Sequence, residues 1–431
     1  MKWNIQPATE LRGVVSMPGD KSISHRALMH AALAQGTSRI QNFLHAGVTE
    51  AMARCVRDLG VRLEWEPGET SESFARLIVH GGRFRSPAAS LDCGNSGATI
   101  RMLMGAMAGQ RDLSVTLDGS AGLRRRPMKR VAEPLRLMGA KLGDTLPLNI
   151  HGEPLHGVEY TMPVASAQVK AAILLAALQA AGPTTIHEPG PSRDHSERLL
   201  RSLGVSMVRQ NNTVTVIPPD KPLPAFEATI PGDISSAAFV LAAAALVPHA
   251  EVTVINVGVN ETRTGILDAL IAMGGDVRIT NVHEVNNEPV ADITVKFSEL
   301  RGITVAGDLV VRMIDEFPIF AVLATQAHGE TIVRDAEELR VKESDRIGSL
   351  AGELRQLGVP IEEQPDGFVI AGPARLRGTV VDSHGDHRLA MALAVAGLVA
   401  EGATTVTHAE AYRESFPNFV ELMHTLKAQI E

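Results

Sequence analysis

The feature that most constrains the fold of this chain is a pattern that returns about every 70 residues. Six apolar segments with helical periodicity begin near positions 24, 95, 166, 235, 315 and 386, which lie 69 to 80 residues apart. Five of the intervals contain a second signal, a glycine after a leucine or methionine, at Gly60, Gly139, Gly204, Gly274 and Gly358. Such a glycine is typical of a helix C-terminus that turns into a strand. The chain is therefore predicted to contain six β/α units with two helices each.

A longer repeat divides the chain in two. The segment Pro18–Ser22 (PGDKS) returns as Pro231–Ser235 (PGDIS), 213 residues later in a chain of 431. We therefore predict two similar α/β domains of three units each, 18–230 and 1–17 plus 231–431, joined by a hinge of two chain crossings. The helices that open the units are apolar nearly all round, which predicts that they are buried and parallel. Their N-termini should then gather at one end of each domain and line a cleft.

Composition excludes several classes of function. Net charge is −8 and aromatic residues make up 3% of the chain, which argues against a nucleic-acid or anionic-membrane binder. Two cysteines, Cys55 and Cys93, cannot staple a secreted scaffold and predict a reducing cytoplasm. The N-terminus lacks the apolar core of a signal peptide, and the most apolar run, 237–247, is too short to span a bilayer.

Polar residues cluster at the openings of the units. The first opening carries Lys21, Ser22 and Arg26, with Ser24 as the expected N-cap of its helix. The other openings and their adjoining loops supply further cations, amides, hydroxyls and carboxylates: Asn95, Gly97, Arg101, Arg124 to Arg126, Ser166, Gln168, Lys170, Ser192, Asp315, Glu316, Lys342, Glu343, Arg346, His384, Asp386, His387 and Arg388. Arginine forks and lysine point charges suit a ligand with more than one anionic group. Asp315 and Glu343 are candidates for acid/base work among these cations.

Other interpretations of single motifs remain open. The run Arg124–Arg126 is also typical of solvated surface. The spacing of His384 and His387 suits a metal, but no third ligand accompanies them, so no metal is predicted. Cys93 is expected to be a buried, inert thiol, and no glycine fingerprint of a dinucleotide site follows a strand.

Eight motifs in order resemble the 5-enolpyruvylshikimate-3-phosphate synthase (3-phosphoshikimate 1-carboxyvinyltransferase) family from end to end. They are PGDKSISHRAL (18–28), GNSGATIRM (94–102), RRPM (125–128), SAQVK (166–170), SRDHSERLL (192–200), RVKESDR (340–346), GDHRLAM (385–391) and SFPNF (415–419). The resemblance implies two domains of three βαβαββ units each. It also implies transfer of the enolpyruvyl group of phosphoenolpyruvate to the 5-hydroxyl of shikimate 3-phosphate, with release of phosphate, through a tetrahedral intermediate. No cofactor is implied.

The resemblance also implies roles for individual residues. Shikimate 3-phosphate would be held mainly by the first domain, by Lys21, Ser22, Arg26, Ser166, Ala167, Gln168 and Ser192, with Asp315 and Lys342. Phosphoenolpyruvate would be bound by Lys21, Asn95, Gly97, Arg126 and Gln168, with Arg346 and Arg388 of the second domain on its carboxylate. Asp315 would take the proton of the 5-hydroxyl. Glu343, with a raised pKa and assisted by Lys342, would protonate the methylene carbon. Lys21 would help to surround the phosphate of phosphoenolpyruvate, and His387 would orient the phosphate side of the site. Glyphosate is expected to inhibit, and the chain is expected to be a monomer.

The chain departs from the family pattern at three places. Glu414 stands where some members have a lysine that helps to bind phosphoenolpyruvate, with Arg413 beside it. Ala167 replaces a second serine and leaves its backbone N–H for the phosphate, and an acidic residue usual near 48–50 is displaced or missing.

Two alternatives have different functions. A UDP-N-acetylglucosamine enolpyruvyl transferase usually carries a reactive cysteine in the loop corresponding to 117–130, which has none here. A non-catalytic phosphometabolite-binding protein, or a relative that processes RNA ends, should have lost Asp315, Glu343 or Lys21, and all three are present.

Overall fold

The computed structural model describes residues 1–66 and 74–431. The helices are α1 Lys21–Leu33, α2 Gly47–Asp58, α3 Gly97–Ala108, α4 Ala121–Arg124, α5 Lys129–Leu137, α6 Ala167–Ala177, α7 His195–Ser202, α8 Ile234–Leu246, α9 Gly265–Ala272, α10 Asp308–Arg312, α11 Phe317–Thr325, α12 Arg346–Gln356, α13 His387–Leu398 and α14 Phe419–Thr425, with 3-10 turns at Glu337–Val341 and Ala409–Glu414. Among these described residues, no helix is long and apolar enough to cross a membrane.

The strands are short and follow the helices in a regular alternation. They are β1 Lys2–Ile5, β2 Arg12–Ser16, β3 Gly36–Leu44, β4 Arg62–Glu66, β5 Phe74–Gly81, β6 Leu91–Asp92, β7 Ser114–Asp118, β8 Lys141–Leu142, β9 Leu148–His151, β10 Leu155–His156, β11 Glu159–Thr161, β12 Ala180–Ala181, β13 Thr184–His187, β14 Met207–Gln210, β15 Thr213–Val216, β16 Glu227–Thr229, β17 Glu251–Gly258, β18 Asp276–Val285, β19 Glu288–Lys296, β20 Thr304–Val305, β21 Gly329–Val333, β22 Ile361–Gln364, β23 Gly367–Gly372, β24 Val380–Asp382 and β25 Thr404–Thr407.

The sheets repeat one topology, as the sixfold pattern predicts. In the sheet β6-β7-β9-β8, the first two strands are parallel and flank α3, and the last two form an antiparallel hairpin. The orders β16-β3-β5-β4, β11-β13-β15-β14, β2-β17-β19-β18 and β20-β21-β23-β22 follow the same plan, and the sixth sheet is β24-β25-β1. The predicted α/β fold built from βαβαββ units is confirmed.

The chain divides into two compact units. The N-terminal unit comprises Gly19–Ile230 and Val285–Glu288, and the C-terminal unit comprises Met1–Pro18, Pro231–Glu284 and Pro289–Glu431. Each unit has its own hydrophobic core. The turn at 285–288 was not singled out from the sequence. It groups with the N-terminal unit, where Glu288 pairs with His195 at 2.8 Å. The hinge and the assignment of substrates to the two halves stay predictions.

The central helices of each unit, α1, α3 and α6 or α8, α11 and α13, are buried nearly all round. Their close approach depends on small residues. A Cβ on Gly105 of α3 would lie 2.1 Å from the carbonyl oxygen of Ala172 in α6, so only glycine permits this helix contact. The glycines predicted after the second helices have positive φ, from +83° at Gly204 to +101° at Gly139. In the sixth unit, Lys427 takes this conformation with φ +72°.

The N-cap predicted for α1 is wrong. Asp20, not Ser24, caps the helix, because its carboxylate accepts the Ile23 N–H at 2.8 Å. Ser24 lies within the helix and its hydroxyl accepts the Leu44 N–H at 3.1 Å. As a consequence Lys21 and Ser22 are the first two residues of the helix, at the positive end of the helix dipole, which favours an anion.

Candidate active site

Arg26 ties together three segments of the N-terminal unit. Its guanidinium is buried and donates to Ser196 Oγ at 2.8 Å, to the Ser22 carbonyl at 2.9 Å and to the Ala167 carbonyl at 3.2 Å. These bonds bring the first turn of α1 to the start of α6 and to α7. Three of the predicted shikimate 3-phosphate residues, Ser22, Arg26 and Ala167, therefore lie together in this unit.

Two residues of this group were left out of the sequence-based assignments. Arg193 Nη1 lies 3.3 Å from Ser22 Oγ, and Ser196 orients Arg26 through its hydroxyl. Both belong to the SRDHSERLL motif, from which only Ser192 was assigned a role. The motif was therefore a usable signal, but nothing in the sequence shows which of its residues turn toward α1.

A buried ion cluster lies beside Ser192. Lys170 Nζ is 2.8 Å from Glu188 Oε1 and 2.7 Å from Glu197 Oε1, and all three side chains are at most 1% exposed. The other oxygen of Glu188 accepts the Ser192 hydroxyl. Because one lysine faces two carboxylates, the cluster fixes α6, the loop after β13 and α7 relative to one another. In this arrangement the proton of the Ser192 hydroxyl is committed to Glu188.

Gly97 opens α3 against two arginines. A Cβ built on Gly97 would lie 2.8 Å from Arg126 Nη1 and 3.2 Å from Arg101 Nη1. Arg101 in turn donates to Gln168 Oε1. Three of the predicted phosphoenolpyruvate residues, Gly97, Arg126 and Gln168, are thus neighbours. Asn95 is held just before the helix, where its Oδ1 accepts the Ser120 hydroxyl at 3.0 Å.

His25 links the first two helix openings as a neutral ring. Burial lowers the pKa of His25 to about 4. Its Nδ1 lies 2.7 Å from the Lys21 carbonyl oxygen. Its Nε2 lies 3.2 Å from the Val48 carbonyl oxygen and 3.3 Å from the hydroxyl of Ser96, the N-cap of α3. The Ser96 hydroxyl oxygen also accepts from the N–H and the hydroxyl of Thr99.

Arg346 is the centre of a charged cluster in the C-terminal unit. The side chain is 1% exposed, and its Nε lies 2.8 Å from Asp386 Oδ2. Its Nη2 lies 2.9 Å from Glu343 Oε2, and its Nη1 lies 3.6 Å from Asp315 Oδ1. Although burial alone would lower it, these carboxylates raise the pKa of Arg346. Burial likewise opposes the charge of Asp386, but Arg346 holds its pKa below the usual value.

Arg388 approaches Asp315 from the first turn of α13. Its Nη1 donates to the Asp315 carbonyl at 2.8 Å, and its Nη2 lies 3.6 Å from Asp315 Oδ2. The helix starts here because Asp386 caps it, accepting the Arg388 N–H at 2.9 Å. Asp386 therefore both positions Arg388 and binds Arg346. The structure brings together four of the predicted residues, Asp315, Glu343, Arg346 and Arg388.

Lys342 stands next to these carboxylates. Burial lowers the pKa of its ammonium to about 8, and the nearby carboxylates of Asp315 and Glu343 oppose that shift. A lysine with this pKa keeps most of its charge at neutral pH and can also exchange a proton.

The remaining predicted residues are placed as follows. His387 is buried at the first position of α13, and Glu414 ends the 3-10 turn Ala409–Glu414. The Arg413 guanidinium lies 5.8 Å from the centre of the Tyr412 ring. Among residues 1–66 and 74–431, no three histidine, cysteine, aspartate or glutamate side chains are grouped so that they could hold a metal ion.

In the C-terminal unit, the segment equivalent to PGDKS is Pro231–Ser235, and its helix start binds an arginine of the same unit. Asp233 caps α8 and also pairs with the buried Arg263 at 3.2 Å. Arg263 donates to Ser235 Oγ at 2.8 Å, and Ser235 donates to Glu316. An arginine of the unit itself lies at this helix start.

The chain is similar to known proteins over nearly its whole length. The family model described as EPSP synthase (3-phosphoshikimate 1-carboxyvinyltransferase) matches residues 5–423. A 3-phosphoshikimate 1-carboxyvinyltransferase of Thermodesulfovibrio yellowstonii is 48% identical over 98% of this chain and 99% of its own length. An EPSP synthase structure from Acinetobacter baumannii covers 100% of this chain and 99% of its own with TM-score 0.87 and 39% identity. The enolpyruvyl transferase NikO from Streptomyces tendae shares the fold, with TM-score 0.80, 18% identity, and coverage of 100% of this chain and 98% of its own.

Proposed function

Because the chain belongs to the EPSP synthase (3-phosphoshikimate 1-carboxyvinyltransferase) family, we propose how its residues transfer the enolpyruvyl group of phosphoenolpyruvate to shikimate 3-phosphate. The observation that carries the proposal is the cluster in which Asp315 and Glu343 share the buried Arg346. It supplies two carboxylates for proton transfer and two guanidinium groups, those of Arg346 and Arg388, for an anionic substrate.

The two proton transfers are assigned to different carboxylates. Asp315 takes the proton of the 5-hydroxyl while the hydroxyl oxygen attacks C2 of phosphoenolpyruvate. Glu343 gives a proton to C3. This addition forms the C–O bond and a tetrahedral intermediate. In the elimination, the ionised Glu343 takes a proton back from C3, the C–H electrons restore the double bond, and the C2–O bond breaks so that phosphate leaves.

The ion pair between Glu343 and Arg346 explains how Glu343 could become an acid. The contact at 2.9 Å favours the ionised carboxylate. A substrate carboxylate that binds Arg346 would compete for this partner and weaken one of the interactions that stabilise the charge of Glu343. Protonation of Glu343 would therefore become easier when phosphoenolpyruvate binds.

The N-terminal unit is assigned to the phosphorylated parts of both substrates. Lys21, Ser22 and Arg26, with the start of α6, would hold shikimate 3-phosphate, and Arg193 would add a cation beside Ser22. Gly97, Arg126 and Gln168 would hold phosphoenolpyruvate. We propose that glyphosate competes with phosphoenolpyruvate and that the chain is a monomer. Both cysteines are free and buried, which supports a reducing, cytoplasmic location.

The test is phosphate release from phosphoenolpyruvate with two acceptors. Release with shikimate 3-phosphate and none with UDP-N-acetylglucosamine is expected, and the reverse would overturn the assignment. Asp315→Asn should bind both substrates while kcat falls by about 10² to 10⁴, as the loss of a general base predicts. Wild-type turnover in Asp315→Asn would remove Asp315 from this role.

A further inference from the structure

Arg340 is a half-buried arginine two residues before Lys342, and the proposed mechanism gives it no role. Its side chain is 27% exposed and makes bonds in two directions. Nε donates to the Pro365 carbonyl at 2.7 Å and Nη2 to the Gln364 carbonyl at 2.6 Å, in the turn between β22 and β23. Nη2 also donates to Glu363 Oε1 at 3.0 Å, and Nη1 donates to Asp345 Oδ2 at 2.8 Å.

The bond to Asp345 closes the short segment that carries Lys342 and Glu343. Asp345 is also the N-cap of α12, since its other oxygen accepts the N–H groups of Ile347 at 3.1 Å and Gly348 at 3.0 Å. The Arg340 guanidinium, at the beginning of the segment, thus binds both the cap of α12 at the segment's other end and the β22–β23 turn.

The segment itself makes two further side-chain contacts, from Ser344 to Asp386 and from Arg346 to Glu343. It runs from the end of a 3-10 turn at Val341 to the cap at Asp345, and Val341 is 45% exposed. Within it, Ser344 donates to Asp386 at 3.1 Å. Proton transfer to carbon demands a donor placed within a few tenths of an ångström, and a misplacement of about 1 Å can cost 10²-fold in rate.

We propose that Arg340 is a positioning residue, which fixes the 341–344 segment so that Glu343 and Lys342 point into the charged cluster. A planar fork reaches two backbone carbonyls and two carboxylates at once, and a lysine cannot do so. The proposal rests on the role of Glu343 in the proposed function.

The first test compares two conservative arginine variants of the same region. Arg340→Lys should lower kcat about tenfold or more. The rise in the KM for shikimate 3-phosphate should be smaller than the loss of kcat, because Lys342 is one of several residues assigned to that substrate. Arg355→Lys is the matched control, because Arg355 lies on α12 and donates twice to the Ile361 carbonyl, away from the segment. The control should keep its kcat. A kcat within twofold of wild type in Arg340→Lys overturns the proposal.

The solvent deuterium isotope effect on kcat separates positioning from mere structural support. If Arg340 positions the proton donor, the isotope effect should rise in Arg340→Lys, because proton transfer becomes more rate-limiting. A fall in kcat with an unchanged isotope effect overturns the proposal.

A second variant removes the same bond from the other side. Asp345→Ser keeps a residue that can cap α12 but loses the carboxylate that binds Arg340. It should reproduce the loss of kcat with a melting temperature near that of wild type, and an unchanged kcat counts against the proposal.

Glu343→Gln distinguishes failure of the proposed function of Glu343 from failure of the positioning role of Arg340. If this variant keeps wild-type kcat, the acid assigned in the proposed function is wrong. If it is inactive while Arg340→Lys and Asp345→Ser are both fully active, only the positioning role fails.

Discussion

Replacing Gly97 by alanine tests the geometry of the phosphoenolpyruvate side with a single methyl group. The new Cβ would lie 2.8 Å from Arg126 Nη1 and 3.0 Å from its Cζ. Ordinary contacts begin at about 3.4 Å, so the guanidinium must retreat by about 0.6 Å. The neighbour is the end of a flexible side chain, so the protein should fold normally.

The expected cost falls on ligand binding. A hydrogen bond from a charged group contributes about 1.5–3 kcal/mol, and every 1.4 kcal/mol corresponds to a factor of ten. If the shift removes one such bond between Arg126 and the substrate, the KM for phosphoenolpyruvate should rise about tenfold to a hundredfold. Inhibition by glyphosate should weaken as well, since the methyl narrows the same pocket. The KM for shikimate 3-phosphate should stay near its wild-type value.

Two other glycines serve as controls. A Cβ on Gly352 of α12 meets nothing within 4 Å, so Gly352→Ala should leave all kinetic constants unchanged. Gly105→Ala in α3 would strike the Ala172 backbone at 2.1 Å and should lower the melting temperature. Steady-state kinetics and thermal melts of the three variants complete the experiment. If Gly97→Ala keeps both its KM for phosphoenolpyruvate and its sensitivity to glyphosate, the steric reasoning is refuted.

Two further predictions concern stability. Lys170→Met removes the lysine from two buried carboxylates, of which Glu197 keeps only the more distant Arg209 at 3.8 Å, and should cost about 3–5 kcal/mol in urea unfolding, partly restored by Glu197→Gln. Lys129→Met, which breaks the exposed pair with Glu133, should cost under 1 kcal/mol, and an equal loss in both variants would contradict the argument. Burial also lowers the pKa of His30 to about 4, below the ordinary 6.5, so the folded state binds fewer protons and stability should fall as pH drops from 6.5 to 4. His30→Leu should reduce that slope by about 1 kcal/mol per pH unit near pH 5.5 in unfolding curves, and an unchanged slope would argue against a buried neutral ring.

The repeating units and the helix ends could be predicted from the sequence because they depend on local signals. The central helices are recognisable as apolar nearly all round, and the glycines at 60, 139, 204, 274 and 358 mark the helix ends through a backbone conformation that other residues rarely adopt. The resemblance assigned Asp315, Glu343, Arg346 and Arg388 to the same reaction, and in the structure these four are neighbours.

Tertiary structure decided which partner each polar group takes. Asp20 and Ser24 are both good caps by residue type, and only the position of Leu44, whose N–H takes the Ser24 hydroxyl, settles the choice. The sequence likewise did not show that Lys170 is enclosed by two glutamates. Nor did the sequence predict the hydrogen bond from Arg340 to the β22–β23 turn. Helical periodicity and caps act over a few residues, so the sequence by itself determined the repeating fold and the set of candidate polar residues. Hydrogen bonds and ion pairs join residues that are distant along the chain, so only the folded chain determined how those residues are held.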